Sequence, residues 1–259
     1  MSELGASLAL VGARALACLP LGLLHAIGTV AGWVTYLARR KYRRRMLNNL
    51  RQANLVESAT QFARLKRQAI AEQGKAALEL PMMWLRPTHA LLRLVRGVEG
   101  IEHYEAARAA GRGIIFVTPH LGNFEMAGRY VSSLMPVVFL YRPPRARLLE
   151  PLMNAGRGRD DAQMAPANTR GVRMMYKALK QGGAVGILPD QAPRAGEGVW
   201  ADFFGRPAYT MTLVARLQQS TGATVIPFYA ERLSYTRGYK LYFGHPIYLQ
   251  GYTQAEGAR

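Results

Sequence analysis

From Ala15 to Ala38 the chain carries no Lys, Arg, Asp or Glu, and directly beyond this run stand Arg39, Arg40, Lys41, Arg43, Arg44 and Arg45. A helix needs roughly 20 apolar residues to cross a bilayer, so the run is long enough to span one. Clustered Lys and Arg stay on the cytoplasmic side, which turns the rest of the chain toward the cytoplasm. A secretory signal would have a shorter apolar stretch, about 7–15 residues, and would follow its basic residues rather than precede them. Residues 1–46 therefore read as an N-terminal membrane anchor with a basic flank, and residues 47–259 as the functional domain. Pro20, Gly22, His25, Gly28 and Gly32 interrupt the run. They leave a second geometry open, a helix lying in the interface or a hairpin that dips into it.

The formal net charge is +18, from 34 Lys and Arg against 16 Asp and Glu. Such an excess calls for an anionic partner: nucleic acid, an anionic membrane or acidic soluble ligands. The basic cluster abuts an apolar run and has no aromatics interleaved on a sheet, which favours the membrane and argues against nucleic acid. The single cysteine, Cys18, excludes an intrachain disulfide and reads as a small apolar side chain. His25, His89, His103 and His245 lack metal-ligand spacing, so neither a metal nor a cofactor is expected.

Val56 to Leu80 has apolar residues at near-helical spacing and reads as an amphipathic helix, followed by the apolar Pro81–Leu85. Beyond residue 100 the pattern changes. Gly113–Thr118 is a short continuous apolar run, as expected of a strand buried on both faces. Further strands are expected at Val137–Tyr141, Ala184–Leu188, Ala223–Tyr229 and Tyr239–Phe243, with helices at Glu125–Leu134, Val172–Lys180 and Thr212–Gln219. This alternation predicts an α/β domain with a mostly parallel sheet flanked by helices. Ser234–Gly238 is short enough for a hairpin, which makes the sheet mixed. Chemistry in such folds gathers beyond the C-terminal ends of the strands. That directs attention to 119–125, Arg142–Pro144 and Pro189–Gln191.

His120 leaves the first buried strand, and Glu125 falls in the first turn of the next helix, with Gly122 free to turn and Asn123 suited to cap. A neutral imidazole backed by a carboxylate can remove a proton from a hydroxyl as it attacks a carbonyl. No Ser or Cys stands beside the pair, so the nucleophile would be the acceptor's own hydroxyl, with no acyl-enzyme.

The segment His120-Leu121-Gly122-Asn123-Phe124-Glu125 resembles the His-x4-Asp/Glu motif of the glycerolipid and lysophospholipid acyltransferases. Over residues 10 to 250 the chain more closely resembles the late acyltransferases of lipid A biosynthesis. The blocks that carry this resemblance, in order, are Gly97–Gly100, Tyr141–Pro143, Arg170-Gly171, Gly186–Gln191 and Phe203–Ala208. Phe124 departs from it, standing where that family often has Trp. The resemblance implies transfer from an acyl-acyl carrier protein to a hydroxyl of a phosphorylated lipid A precursor, at the cytoplasmic side of a bacterial inner membrane. It implies catalytic roles for His120 and Glu125. Asn123, Arg142, Arg170, Asp190 and Gln191 would then contact substrate, with Arg142 and Arg170 on phosphate or donor. Asp190 has an alternative role as the orienter of Arg142. Trp200, Phe203 and Phe204 become candidates for lining an acyl tunnel, with core packing as the alternative. Acyl transfer to a lysophospholipid, ornithine lipid or glycosylated phosphoinositide stays open, as does a membrane protein that binds acyl chains without turnover.

Overall fold

The computed structural model of the protein describes residues 3–141 and 162–249, with side chains from Leu10 onward. The chain divides into two compact units, one of residues 1–85 with 203–206, the other of residues 86–202 with 207–259.

The first unit is helical: α1 (Glu3–Cys18), α2 (Leu21–Ala38), α3 (Arg40–Ala53) and α4 (Ala59–Leu85). The apolar run of the sequence is thus split. Pro20, without an N–H and with φ fixed near −54°, stands at the junction and opens α2. α3 ends on Asn54 in the left-handed region (φ 47°), a cap that asparagine tolerates. α4 starts with a capping box, in which Ser58 Oγ accepts from Gln61 N–H and Gln61 Oε1 accepts from Ser58 N–H, both at 3.1 Å.

α2 and α4 cross on glycine. A Cβ at Gly74 would lie 1.9 Å from the Gly28 carbonyl oxygen, so no other residue fits without separating the helices. Beside this crossing His25 Nε2 and Glu79 Oε1 lie 2.7 Å apart, both buried. Along α2, Leu23, Ile27, Val30, Val34 and Leu37 form an exposed apolar stripe at alternating spacings of four and three. By length and composition, α2 is the one described helix able to cross a membrane. The first unit runs to Leu85 because α4 packs on α1 and α2.

The second unit holds a seven-stranded sheet in the order β1-β9-β8-β2-β5-β3-β4. Its strands are β1 (Val95–Glu99), β2 (Ile114–Val117), β3 (Val137–Tyr141), β4 (Ala162–Pro166), β5 (Ala184–Ile187), β8 (Thr224–Arg232) and β9 (Tyr239–Phe243). Every neighbouring pair is parallel except β8 and β9, which form the antiparallel pair expected from their short connection. The helices are α5 (Thr88–Leu92), α6 (Ile101–Ala109), α7 (Phe124–Leu134), α8 (Thr169–Lys180) and α9 (Leu213–Thr221). β6 (Gly198–Phe203) and β7 (Arg206–Met211) make a separate two-stranded sheet.

β2 and β5 lie side by side at the centre and are the most buried strands, which is why their sequences are continuous apolar runs. Ile115, Val185, Ile187, Met175, Leu179 and Val225 form one core layer. Phe116 contributes to an aromatic cluster with Tyr104, Phe228 and Phe243.

The His25–Glu79 bond has a measurable consequence. His25→Leu should destabilise the protein by about 3–5 kcal/mol, because it leaves Glu79 buried without its histidine. The double variant His25→Leu/Glu79→Leu should recover most of that loss. Thermal unfolding of the two variants compares them directly.

Candidate active site

The loop after β2 is pinned from both sides. Thr118 N–H donates to Ile187 O of β5 at 3.2 Å, and Asn123 N–H donates to Ala230 O of β8 at 2.8 Å. Gly122 sits at φ +61°, and a Cβ there would lie 2.0 Å from Ala230 O, so the turn demands glycine. Asn123 is buried and accepts from Met126 N–H through Oδ1 at 2.9 Å, capping α7. Its structural task is therefore to start α7 one residue before Glu125.

His120 meets a carboxylate from the neighbouring strand. Asp190 Oδ1 lies 2.7 Å from His120 Nδ1, and Asp190 Oδ2 accepts from the His120 backbone N–H at 2.7 Å. Strand register brings them together. Val117 pairs with Ile187, and three residues beyond each stand His120 and Asp190. Gln191 Nε2 lies 3.2 Å from His120 Nε2, and the Phe124 ring packs edge-on to the imidazole with centroids 4.9 Å apart. A carboxylate only accepts, so Nδ1 carries the proton and donates to Asp190. In the neutral ring Nε2 then holds the lone pair, toward which the Gln191 amide donates.

The sequence-based expectation put Glu125 behind the imidazole. In the structure the carboxylate on Nδ1 belongs to Asp190, which the sequence had offered to substrate or to Arg142. Glu125 lies instead on the wall of the adjoining cavity, in the first turn of α7.

That cavity has a volume of about 240 Å³. Phe124, Gly128, Phe139, Leu140, Met164, Leu188 and Met211 supply its apolar wall. Thr118, His120, Glu125, Arg129, Ser132 and Gln191 supply polar groups. Arg129 is buried, with Nη1 3.5 Å from Thr88 Oγ1. The Ser132 hydroxyl donates to Gly128 O at 2.9 Å, so it is committed within its own helix.

The structure thus brings His120, Glu125, Asp190 and Gln191 together. Arg170 is exposed in the first turn of α8 and does not line the cavity. Arg142 lies outside the described residues. Trp200, Phe203 and Phe204 are exposed on the β6–β7 hairpin, neither core nor cavity wall. Arg129 and Met164 escaped the sequence reading. A signal for Arg129 was available, a lone basic residue four positions after Glu125 in an otherwise uncharged helix. Met164 lies on β4, for which no apolar run gave warning. Among the described residues no group of three or more His, Cys, Asp or Glu is placed to hold a metal ion.

Residues 1–253 match the family model described as bacterial lipid A biosynthesis acyltransferase. The chain is 30% identical to the lipid A biosynthesis lauroyltransferase of Escherichia coli K12, over 65% of this chain and 54% of that protein. It is 28% identical to the lipid A biosynthesis palmitoleoyltransferase of the same organism, over 86% of this chain and 72% of that protein. The chain therefore spans about half the length of the first relative and nearly three quarters of the second. Among solved structures, the 1-acyl-sn-glycerophosphate acyltransferase of Thermotoga maritima aligns with a TM-score of 0.38 and 13% identity, covering 91% of this chain and 89% of that one.

The geometry fixes the tautomer of His120. Nitrogen-15 NMR of histidine-labelled protein should report Nδ1 protonated and Nε2 unprotonated at alkaline pH. Asp190→Asn should shift that ring toward the opposite tautomer, with the other histidine signals in place.

Proposed function

The chain belongs to the bacterial lipid A biosynthesis acyltransferase family, and on that premise we propose that it transfers a fatty-acyl group from acyl-acyl carrier protein to a hydroxyl of a phosphorylated lipid A precursor. The observation that carries this reading is the two-point hold of Asp190 on His120 at the mouth of a partly apolar cavity.

In the proposed reaction the acceptor hydroxyl gives its proton to His120 Nε2 as its oxygen attacks the thioester carbonyl. Asp190 keeps Nδ1–H pointed away from the reacting centre and stabilises the imidazolium as it forms. Collapse of the tetrahedral intermediate breaks the carbon–sulfur bond, and the departing thiolate takes the proton back from Nε2. The enzyme ends in its starting state and no acyl-enzyme forms. The commitment of the Ser132 hydroxyl to Gly128 O supports this route.

Glu125 acts in this scheme from the cavity side, accepting a hydrogen bond from the acceptor sugar and orienting its hydroxyl. Gln191 helps align the imidazole through Nε2 and is displaced when the hydroxyl enters. The apolar wall built by Phe124, Phe139, Leu140, Met164 and Met211 suits a fatty-acyl chain. Arg129 offers a buried cation to a donor or acceptor oxygen.

The anionic partners follow from charge. A net +18 suits an acidic carrier protein, the phosphates of the acceptor and an anionic bilayer. The apolar stripe of α2 and the basic α3 support attachment to the inner membrane on its cytoplasmic side.

The test is acyl transfer by detergent-purified protein, with acyl-acyl carrier protein as donor and a phosphorylated lipid A precursor as acceptor. His120→Ala should lower kcat by about 10²–10⁴-fold. Asp190→Asn should fall in the same range by favouring the wrong tautomer, and Glu125→Gln should raise KM for the acceptor as well as lower kcat. Full activity in His120→Ala would overturn the mechanism. Tight acyl-lipid binding without turnover for any donor would favour a binding protein instead.

A further inference from the structure

β6 and β7 form a sheet separate from the seven-stranded one, and three of the hairpin's four aromatic residues are exposed. Trp200 is 68% exposed, Phe203 59% and Phe204 51%, and the whole stretch from Trp200 to Pro207 faces solvent. These exposures matter because large apolar side chains gathered at one tip mark an interaction surface, whereas single ones scattered over a protein do not.

The turn strengthens the point. It has two residues, Phe204 at φ +51° and Gly205 at φ +69°. Two central residues with positive φ make the type I′ turn, whose first position favours Asn, Asp or Gly. Phenylalanine there is held in a left-handed conformation that bulky side chains rarely adopt. Folding does not require it, since an asparagine would make the same turn more comfortably and the Phe204 ring is half exposed. A strained, exposed aromatic at a tip is explained when a partner takes up the ring.

The hairpin is also built to hold its shape. Tyr209 Oη accepts from the N–H groups of Gly196 and Gly198 at 2.9 and 3.1 Å, closing the base of the hairpin. The Trp200 ring packs on Tyr209 at 5.4 Å, and Phe203 and Phe204 lie edge to face at 4.7 Å. Arg206 follows the turn directly.

We propose that this tip inserts into an anionic lipid bilayer, with Trp200, Phe203 and Phe204 at the boundary between headgroups and acyl chains and Arg206 against lipid phosphate. Aromatic rings favour that boundary. The charge of +18 on the chain matches an anionic surface. Insertion of the tip would hold the chain on the bilayer in which a lipid acceptor resides. Insertion of the tip does not depend on the proposed acyl-transfer chemistry and is tested without turnover.

The experiment places one fluorophore at the tip. With Cys18→Ser removing the sole cysteine, Phe204→Cys is labelled with bimane in the full chain. The protein is then reconstituted into vesicles of phosphatidylethanolamine and phosphatidylglycerol. Ala109→Cys, exposed on α6, is the comparison. The tip label should be quenched several-fold more by doxyl-labelled lipid than by aqueous iodide, and the α6 label should show the reverse. Equal iodide access at both positions, without quenching by doxyl lipid, would overturn the proposal. Protection of the tip only after a lipid A precursor is added would also overturn it, showing capture of a single lipid rather than insertion. Should Phe204→Cys fail to fold, Trp200→Cys puts the label on another exposed aromatic position of the hairpin. Phe204→Asn gives an independent reading. It should keep or raise Tm while lowering turnover several-fold on vesicle-embedded acceptor, with turnover on detergent-dispersed acceptor unchanged. Equal turnover in the two settings would count against insertion.

Discussion

The two-point hold of one carboxylate on one histidine is the interaction around which the catalytic unit is arranged. Asp190 receives both the backbone N–H and the ring Nδ1 of His120, so it fixes where the residue sits and which ring nitrogen faces the cavity. This hold requires β2 and β5 to be parallel neighbours in a register that brings position 120 to position 190. It also requires the loop after β2 to be still. The bonds from Thr118 to β5 and from Asn123 to β8 provide that, with Gly122 allowing the backbone to pass against Ala230. Central burial of both strands keeps the register, because a slip would turn apolar side chains out of the core. Core packing and site chemistry are therefore linked through the same two strands.

Much of this was legible in the sequence where the signal is local. Apolar-rich runs gave β2, β3, β5, β8 and, around Lys240, β9, and the short connection gave the antiparallel β8–β9 pair. Asn123 was recognisable as a helix cap, and His120 as a residue leaving a buried strand. What was not legible is what depends on strand order. His120 and Glu125 are close in sequence, so a motif draws them together. Asp190 lies seventy positions away and becomes the partner only once β5 is known to pair with β2. β1, β4 and the β6–β7 hairpin lack continuous apolar runs, being edge strands or exposed ones, and periodicity gave no notice of them. The aromatics of the hairpin looked like core or tunnel by composition, and only their exposure says otherwise.

The helical unit solves a different problem. Its most apolar helix also contains glycines and a histidine, which weaken it as a lone membrane span. In the structure these residues face α4, where glycine permits a close crossing and His25 finds Glu79. The opposite face keeps an unbroken apolar stripe. One helix can thus pack on protein through one face and offer the other to lipid, a division that a hydropathy average over α2 does not reveal.

The central claim is that Asp190 works through His120 and not on substrate. A double-mutant cycle on kcat for acyl transfer tests this most directly, using His120→Ala, Asp190→Asn and the combination. If Asp190 acts only by orienting and stabilising the imidazole, the double variant should be as slow as His120→Ala alone, because the partner has nothing left to orient. If the two losses multiply, Asp190 has an independent role and the account is contradicted.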